Sequence, residues 1–123
     1  MNRRIISAMN VSLDGFIEGL KGELDWIENW EDSYGLMAQV DACVLGAGMY
    51  PGYEQYWSAV LAPDAPLPFS GKAATRGEID CARWAHRTPH VVLSKSLNES
   101  AWQHTRIVRE IDAIAFLKQQ PGK

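Results

Sequence analysis

The stretch VDACVLGAGMYPGYEQYW, Val40 to Trp57, constrains the fold more than any other part of the chain. The run Ala42-Cys43-Val44-Leu45 has the length and composition of a buried strand. It passes straight into Gly46-Ala47-Gly48. The aromatic segment that follows, entered through Pro51-Gly52, reads as a helix from Tyr53 to Leu61. A strand that leaves its sheet through a helix belongs to an α/β architecture. The same layout presents main-chain N–H groups to a phosphate. No Lys or Arg lies between Lys21 and Lys72, so an anion bound here would be met by main-chain groups.

The remaining pattern extends the alternation. Arg4 to Met9 is short, apolar and β-branched at its start, which predicts a buried first strand. Ser12-Leu13-Asp14-Gly15 predicts a turn. Asp25 can cap a helix, and Trp26, Ile27, Trp30, Tyr34, Met37 and Val40 then recur at helical spacing. Val40 to Leu45 is the second expected strand. Three prolines between Leu61 and Pro68 exclude a regular helix there. Ala73 to His86 reads as a helix, His90 to Leu93 and Thr105 to Val108 as strands. Asp112 to Gln119 reads as a closing helix stopped by Pro121-Gly122.

The chain has 123 residues, enough for one domain, 1–123, and 46% of them are hydrophobic, enough for a core. A formal charge of -3 argues against a nucleic-acid surface, which needs a basic face. No run approaches the roughly 20 apolar residues of a membrane span, and Ile5 to Val11 is too short for a signal peptide. Cys43 and Cys81 read as reduced, packed thiols of a cytoplasmic protein. His86, His90 and His104 form no metal set, because Pro89 breaks the helix that would align the first two. No nucleophile elbow or Ser-His-Asp arrangement supports hydrolase chemistry.

VSLDGFIEG, VDACVLGAGMYPGYEQYW, HVVLSKSLNESAW and IDAIAFLKQQPGK, taken in this order, resemble the dihydrofolate-reductase-like fold. The branch they resemble most is the reductase domain of riboflavin biosynthesis and its small bacterial relatives. The resemblance implies a three-layer α/β/α domain with a mixed sheet. It implies an NADPH-dependent reductase of a pterin- or pyrimidine-like ring. The first strand and its turn would border the nicotinamide, which brings in Met9, Asn10, Asp14 and Ile17. The glycine turn, Gly46, Ala47, Gly48 and Met49, would meet the cofactor phosphates. Leu93, Ser94 and Lys95 would meet the adenosine side, with Lys95 placed to neutralise the 2′-phosphate.

Two departures from the family pattern are legible. Ala47 and Met49 stand where the family usually carries Arg and Thr. The chain also stops where the family continues into a strand with a Gly-Gly turn and further strands. The resemblance therefore implies an incomplete sheet with an open edge, and pairing into a homodimer or higher assembly through it.

The helix expected from Asp25 would wall the substrate pocket, with Trp26, Trp30, Glu31 and Asp32 as its candidates. An aromatic wall suits a planar heterocycle. Among Asp25, Glu28, Glu31 and Asp32, Asp32 is the candidate proton donor that would accompany hydride transfer. The other reading of the same residues is an acidic solvated face, and of the whole chain a non-catalytic ligand-binding or assembly protein on a reductase scaffold.

Overall fold

The computed structural model describes residues 3–24, 26–27, 30–62, 67–68, 71–100 and 102–123. Three strands, β1 (Cys43–Gly46), β2 (His90–Leu93) and β3 (Thr105–Val108), form one sheet in the order β1-β2-β3. Both pairings are parallel, and the register aligns Cys43, His90 and Thr105 at one end and Gly46, Leu93 and Val108 at the other. Three helices accompany the sheet: α1 (Tyr50–Val60), α2 (Arg76–Arg87) and α3 (Asp112–Gln119).

Each element has a local cause. Pro51 pre-sets the helical φ in the first turn of α1, so the helix begins at Tyr50, ahead of the expected Tyr53. At α2 the Thr75 hydroxyl accepts the Glu78 N–H at 3.1 Å, and the Glu78 carboxylate accepts the Thr75 N–H at 3.1 Å. This reciprocal capping box fixes the helix start three residues after the expected Ala73. β2 is a run of His and β-branched residues behind Pro89, whose carbonyl accepts the Cys43 N–H at 2.9 Å. β2, β3 and α3 occupy the residues that the sequence pattern predicts.

Two apolar clusters hold the layers together. Leu45, Tyr50 and Val92 pack with Tyr53, Leu97 and Ile107, which seats α1 on one face of the sheet. Tyr56, Val60, Leu67 and Ala82 pack with Trp30, Trp57 and Ile79, which joins α1 to α2. The Tyr56 hydroxyl donates to the buried Glu78 carboxylate, so the capping box also tethers the two helices.

Two expected elements are absent. Arg4 to Met9 forms no strand, and Ile5, Ile6 and Met9 are exposed. Its backbone pairs instead with the C-terminal segment: the Arg3 N–H donates to the Lys118 carbonyl at 2.9 Å and the Arg4 N–H to that of Lys123 at 3.2 Å. The Arg3 guanidinium adds bonds to Asp41 and to the Pro121 carbonyl. The helix expected over Asp25 to Val40 is also not formed among the described residues, where a short 3-10 turn at Met37–Gln39 is the regular structure. The Asp32 carboxylate takes the N–H groups of Leu36 and Met37 at 2.7 and 3.0 Å, offering the backbone a local alternative to helix. Gly35 adopts φ +64°, which an uninterrupted helix does not permit. Asp25 and Glu28, and residues 63–66 of the proline-rich loop, lie outside the described residues.

Candidate functional site

A parallel sheet gathers its ligand-facing loops at the carboxyl ends of its strands. Here Gly46, Leu93 and Val108 are register partners, so the three loops that follow them start side by side. Adjacent strands lie about 4.8 Å apart, which puts the outer two loop origins within about 10 Å.

The first loop is Gly46 to Met49, closed by a bond from the Met49 N–H to the Gly46 carbonyl at 3.2 Å. It delivers the chain to the N-terminus of α1, which has no side-chain cap and no acidic residue in its first turn. The positive end of the helix dipole is therefore not answered from within the helix. A Cβ built at Gly46, Gly48 or Gly52 meets nothing within 4 Å, and none of the three has a left-handed φ. Neither packing nor backbone angle within the chain asks for glycine at these positions. Glycine inside α1 costs roughly 0.5–1 kcal/mol relative to Ala. What the three glycines provide is an open floor at the mouth of the sheet.

The second loop follows β2. Ser94 is buried; its N–H donates to the Val108 carbonyl at 3.0 Å, and its hydroxyl accepts the N–H groups of Ser96 and Leu97 at 3.3 and 3.0 Å. The chain is thereby folded back, with Lys95 exposed at the bend. The third loop begins at Arg109, whose guanidinium donates to the carbonyls of Ser94 (2.8 Å) and Leu97 (2.6 Å) and to the Asn98 side-chain oxygen (3.3 Å).

The candidates read from sequence fall into three groups. Gly46, Ala47, Gly48, Met49, Leu93, Ser94 and Lys95 share the rim just described. Asp14 and Trp26 line an open cleft of about 550 Å³ together with Ser12, Phe16, Glu18 and Leu20. Asp14 is shaped by its own turn: the Ser12 hydroxyl donates to its carboxylate at 2.6 Å, and Gly15 takes φ +92°. Asn10 and Ile17 are exposed on the same segment. Trp30, Glu31 and Asp32 lie toward the helices. Trp30 packs edge-on to Tyr56 at 6.2 Å, and a side chain added at Gly77 of α2 would collide with Glu31. Both carboxylate oxygens of Asp32 are engaged by main-chain N–H groups.

Sequence reasoning missed a buried polar chain at the opposite, amino end of the sheet. His90 is 1% exposed. Its Nδ1 lies 2.7 Å from the Thr88 carbonyl and must be the donor there. That leaves Nε2 to accept from the Tyr53 hydroxyl at 3.0 Å. Trp102 closes the ring edge-on at 5.3 Å. Burial depresses the His90 pKa below its ordinary 6.5, with His86 pushing the same way and the Thr88 bond opposing. Burial raises the Cys43 thiol to about 11, against its hydrogen bond with Tyr53, and burial is also the main reason Tyr53 itself is raised. These groups are neutral near pH 7 and act as internal polar packing. The one signal for them in the sequence is a His at the head of an apolar strand.

Among the described residues no three His, Cys, Asp or Glu side chains are grouped to hold a metal ion, and no helix is long and apolar enough to cross a membrane. The chain matches no protein-family model and no solved structure. It is similar to the uncharacterized protein YyaP of Bacillus subtilis, with 31% identity over 124 residues. That match covers 98% of this chain and 60% of the relative, so the chain spans less than two thirds of the length of the protein it resembles.

Proposed function

We propose that the chain is a reductase domain of the dihydrofolate-reductase-like type, organised as the three-layer α/β/α arrangement of that group, and that it binds NADPH at the carboxyl rim of its sheet. The observation that carries this reading is the open glycine floor against the uncapped start of α1, side by side with the Ser94–Lys95 bend. A phosphate-bearing cofactor fits such a corner by main-chain N–H groups and helix dipole. Gly46, Ala47, Gly48 and Met49 would hold the pyrophosphate; Leu93, Ser94 and Lys95 the adenosine side; Asn10, Asp14 and Ile17 the nicotinamide. NADPH, when bound, supplies hydride. The chain's own residues orient the partners and exclude water. Trp26 in its cleft beside Asp14 offers an aromatic wall for a pterin- or pyrimidine-like ring, and Trp30 and Glu31 would complete the substrate pocket. Asp32, held by the Leu36 and Met37 N–H groups, would supply the proton that accompanies hydride transfer.

The test is the thermal unfolding midpoint with and without saturating NADPH. A ligand at a hundredfold excess over its Kd adds about 2.7 kcal/mol to the stability of the folded state. The control is Gly48→Val, whose added Cβ meets open space; a circular dichroism melt checks that it is folded. A rise in the parent protein that the variant lacks supports the reading; equal rises in both remove the cofactor from this corner.

A second reading has its own observation. Ile5, Met9, Leu13, Phe16 and Leu20 are exposed on one continuous segment, and Val44 is half exposed on edge strand β1. Apolar side chains exposed in such number along one segment suit an interaction face. It favours an assembly protein, a homodimer or larger, on a reductase scaffold. Sedimentation at micromolar concentration tests it: a monomer refutes assembly, and an oligomer that ignores NADPH favours it over catalysis.

A further inference from the structure

The glycine rim lacks fixed positive charge, yet one guanidinium stands at its far side. Arg109 leaves the carboxyl end of β3 directly after Val108, the register partner of Leu93. All three groups it binds are neutral: the Ser94 and Leu97 carbonyls and the Asn98 side chain. No carboxylate among the described residues pairs with it, and the one ion pair found there joins Arg3 to Asp41. Its guanidinium is therefore held by neutral acceptors and makes no ion pair among the described residues.

Its geometry is as informative as its charge. Two carbonyls three residues apart, Ser94 and Leu97, converge on a single guanidinium nitrogen at 2.8 and 2.6 Å, and the second nitrogen reaches Asn98. From inside the loop, the Ser94 hydroxyl collects the Ser96 and Leu97 N–H groups. The bend carrying Lys95 is thus clamped from both sides. A planar fork with fixed donors makes such a clamp; an ammonium on a flexible stem cannot reproduce it.

We infer that Arg109 is a positioning residue which fixes the Ser94–Asn98 bend and turns Lys95 and the rim toward a phosphate group, so that Lys95 supplies the positive charge that the glycine turn lacks. This rests on the NADPH reading for the identity of the ligand, but not for its phosphate chemistry. Removing one charge-assisted hydrogen bond from such a site weakens binding roughly tenfold or more.

The experiment is calorimetric titration of the full chain with NADPH, NADH and inorganic pyrophosphate, on the parent, Arg109→Gln, Arg109→Lys, Lys95→Gln and the Lys95→Gln/Arg109→Gln double variant. The expected result is a roughly tenfold weaker NADPH and pyrophosphate affinity in Arg109→Gln, little rescue by Arg109→Lys, and a smaller NADPH preference over NADH. The double variant should be no weaker than Arg109→Gln, because Arg109 acts through Lys95. A circular dichroism melt confirms that each variant is folded. NADPH binding unaffected by Arg109→Gln overturns the inference and leaves the reductase reading standing. Arg109-dependent pyrophosphate binding without NADPH binding does the reverse. Binding of neither by the parent overturns both, and full rescue by Lys overturns positioning in favour of simple charge.

Discussion

Val92 and Ile5 are both β-branched residues in short apolar runs, yet Val92 is 0% exposed and Ile5 is 71% exposed. The difference lies in their backbones. Val92 sits in the middle strand of the sheet, paired to β1 on one side and β3 on the other, with Leu45 of β1 and Tyr50 of α1 packed against it. The Ile5 segment enters no sheet, and the backbone around it is tied by Arg3 and Arg4 to the C-terminal segment. An apolar side chain can be buried only where its main-chain polar groups find partners. Apolar sequence supplies the motive for burial; a free ladder position supplies the means.

The contrast can be broken most forcefully by placing a charge at each position. Val92→Asp buries an unpaired carboxylate and should cost about 4 kcal/mol or more, while Ile5→Asp should fall within about 0.5 kcal/mol of the parent by chemical denaturation. Equal losses would mean that the N-terminal segment is as deeply embedded as the sheet. Next in size is the capping box. Glu78→Ala removes the acceptor of both the Thr75 N–H and the Tyr56 hydroxyl, for an expected loss of about 2–3 kcal/mol in the same denaturation experiment. Asp14→Ala, in an exposed turn, should cost less than about 1 kcal/mol.

A smaller effect comes with pH. The folded-state pKa of His90 lies below 6.5, so the unfolded chain binds a proton that the native chain refuses. The stability linked to His90 is complete above about pH 6.5 and falls as pH drops below it, by at most about 1.4 kcal/mol per pH unit. Melts between about pH 7.5 and 5 should show this slope, and His90→Gln should flatten it. The smallest effect is that of Gly48→Val, which should change stability by less than about 0.5 kcal/mol because the new side chain meets open space. A large loss there would make the glycine a structural requirement and weaken its reading as a ligand floor.

The same contrast explains what can be read from the residues. β2, β3 and α3 are legible to the residue because punctuation bounds them: Pro89 before β2, Pro121-Gly122 after α3. The start of α2 is also written in the chain, as Thr75 followed three residues later by Glu78, but helical composition alone points to Ala73. The helix expected near Trp30 shows the limit of periodicity. Its apolar spacing is real, and Trp30 does pack on the core, but Asp32 and Gly35 divert the backbone into turns. At the rim, the glycine turn and the Leu93–Lys95 bend are visible because each lies within one short stretch. Arg109 and the Cys43–Tyr53–His90 chain are not, because each joins segments far apart in sequence and depends on a strand register that no local pattern encodes.

The unequal connections of the sheet carry a consequence for how the molecule assembles. β2 and β3 are joined by the 94–104 loop, whereas β1 reaches β2 only across α1, the proline-rich loop and α2. Loop-closure entropy rises with the length closed, and non-local pairing slows folding. Chain entropy alone predicts that the β2–β3 pair, which closes the shorter loop, forms before β1 docks, an order that refolding rates of β1 and β3 variants would check. On that ordering the glycine turn is the last part of the rim to take shape during refolding, after the Ser94–Asn98 bend is already formed.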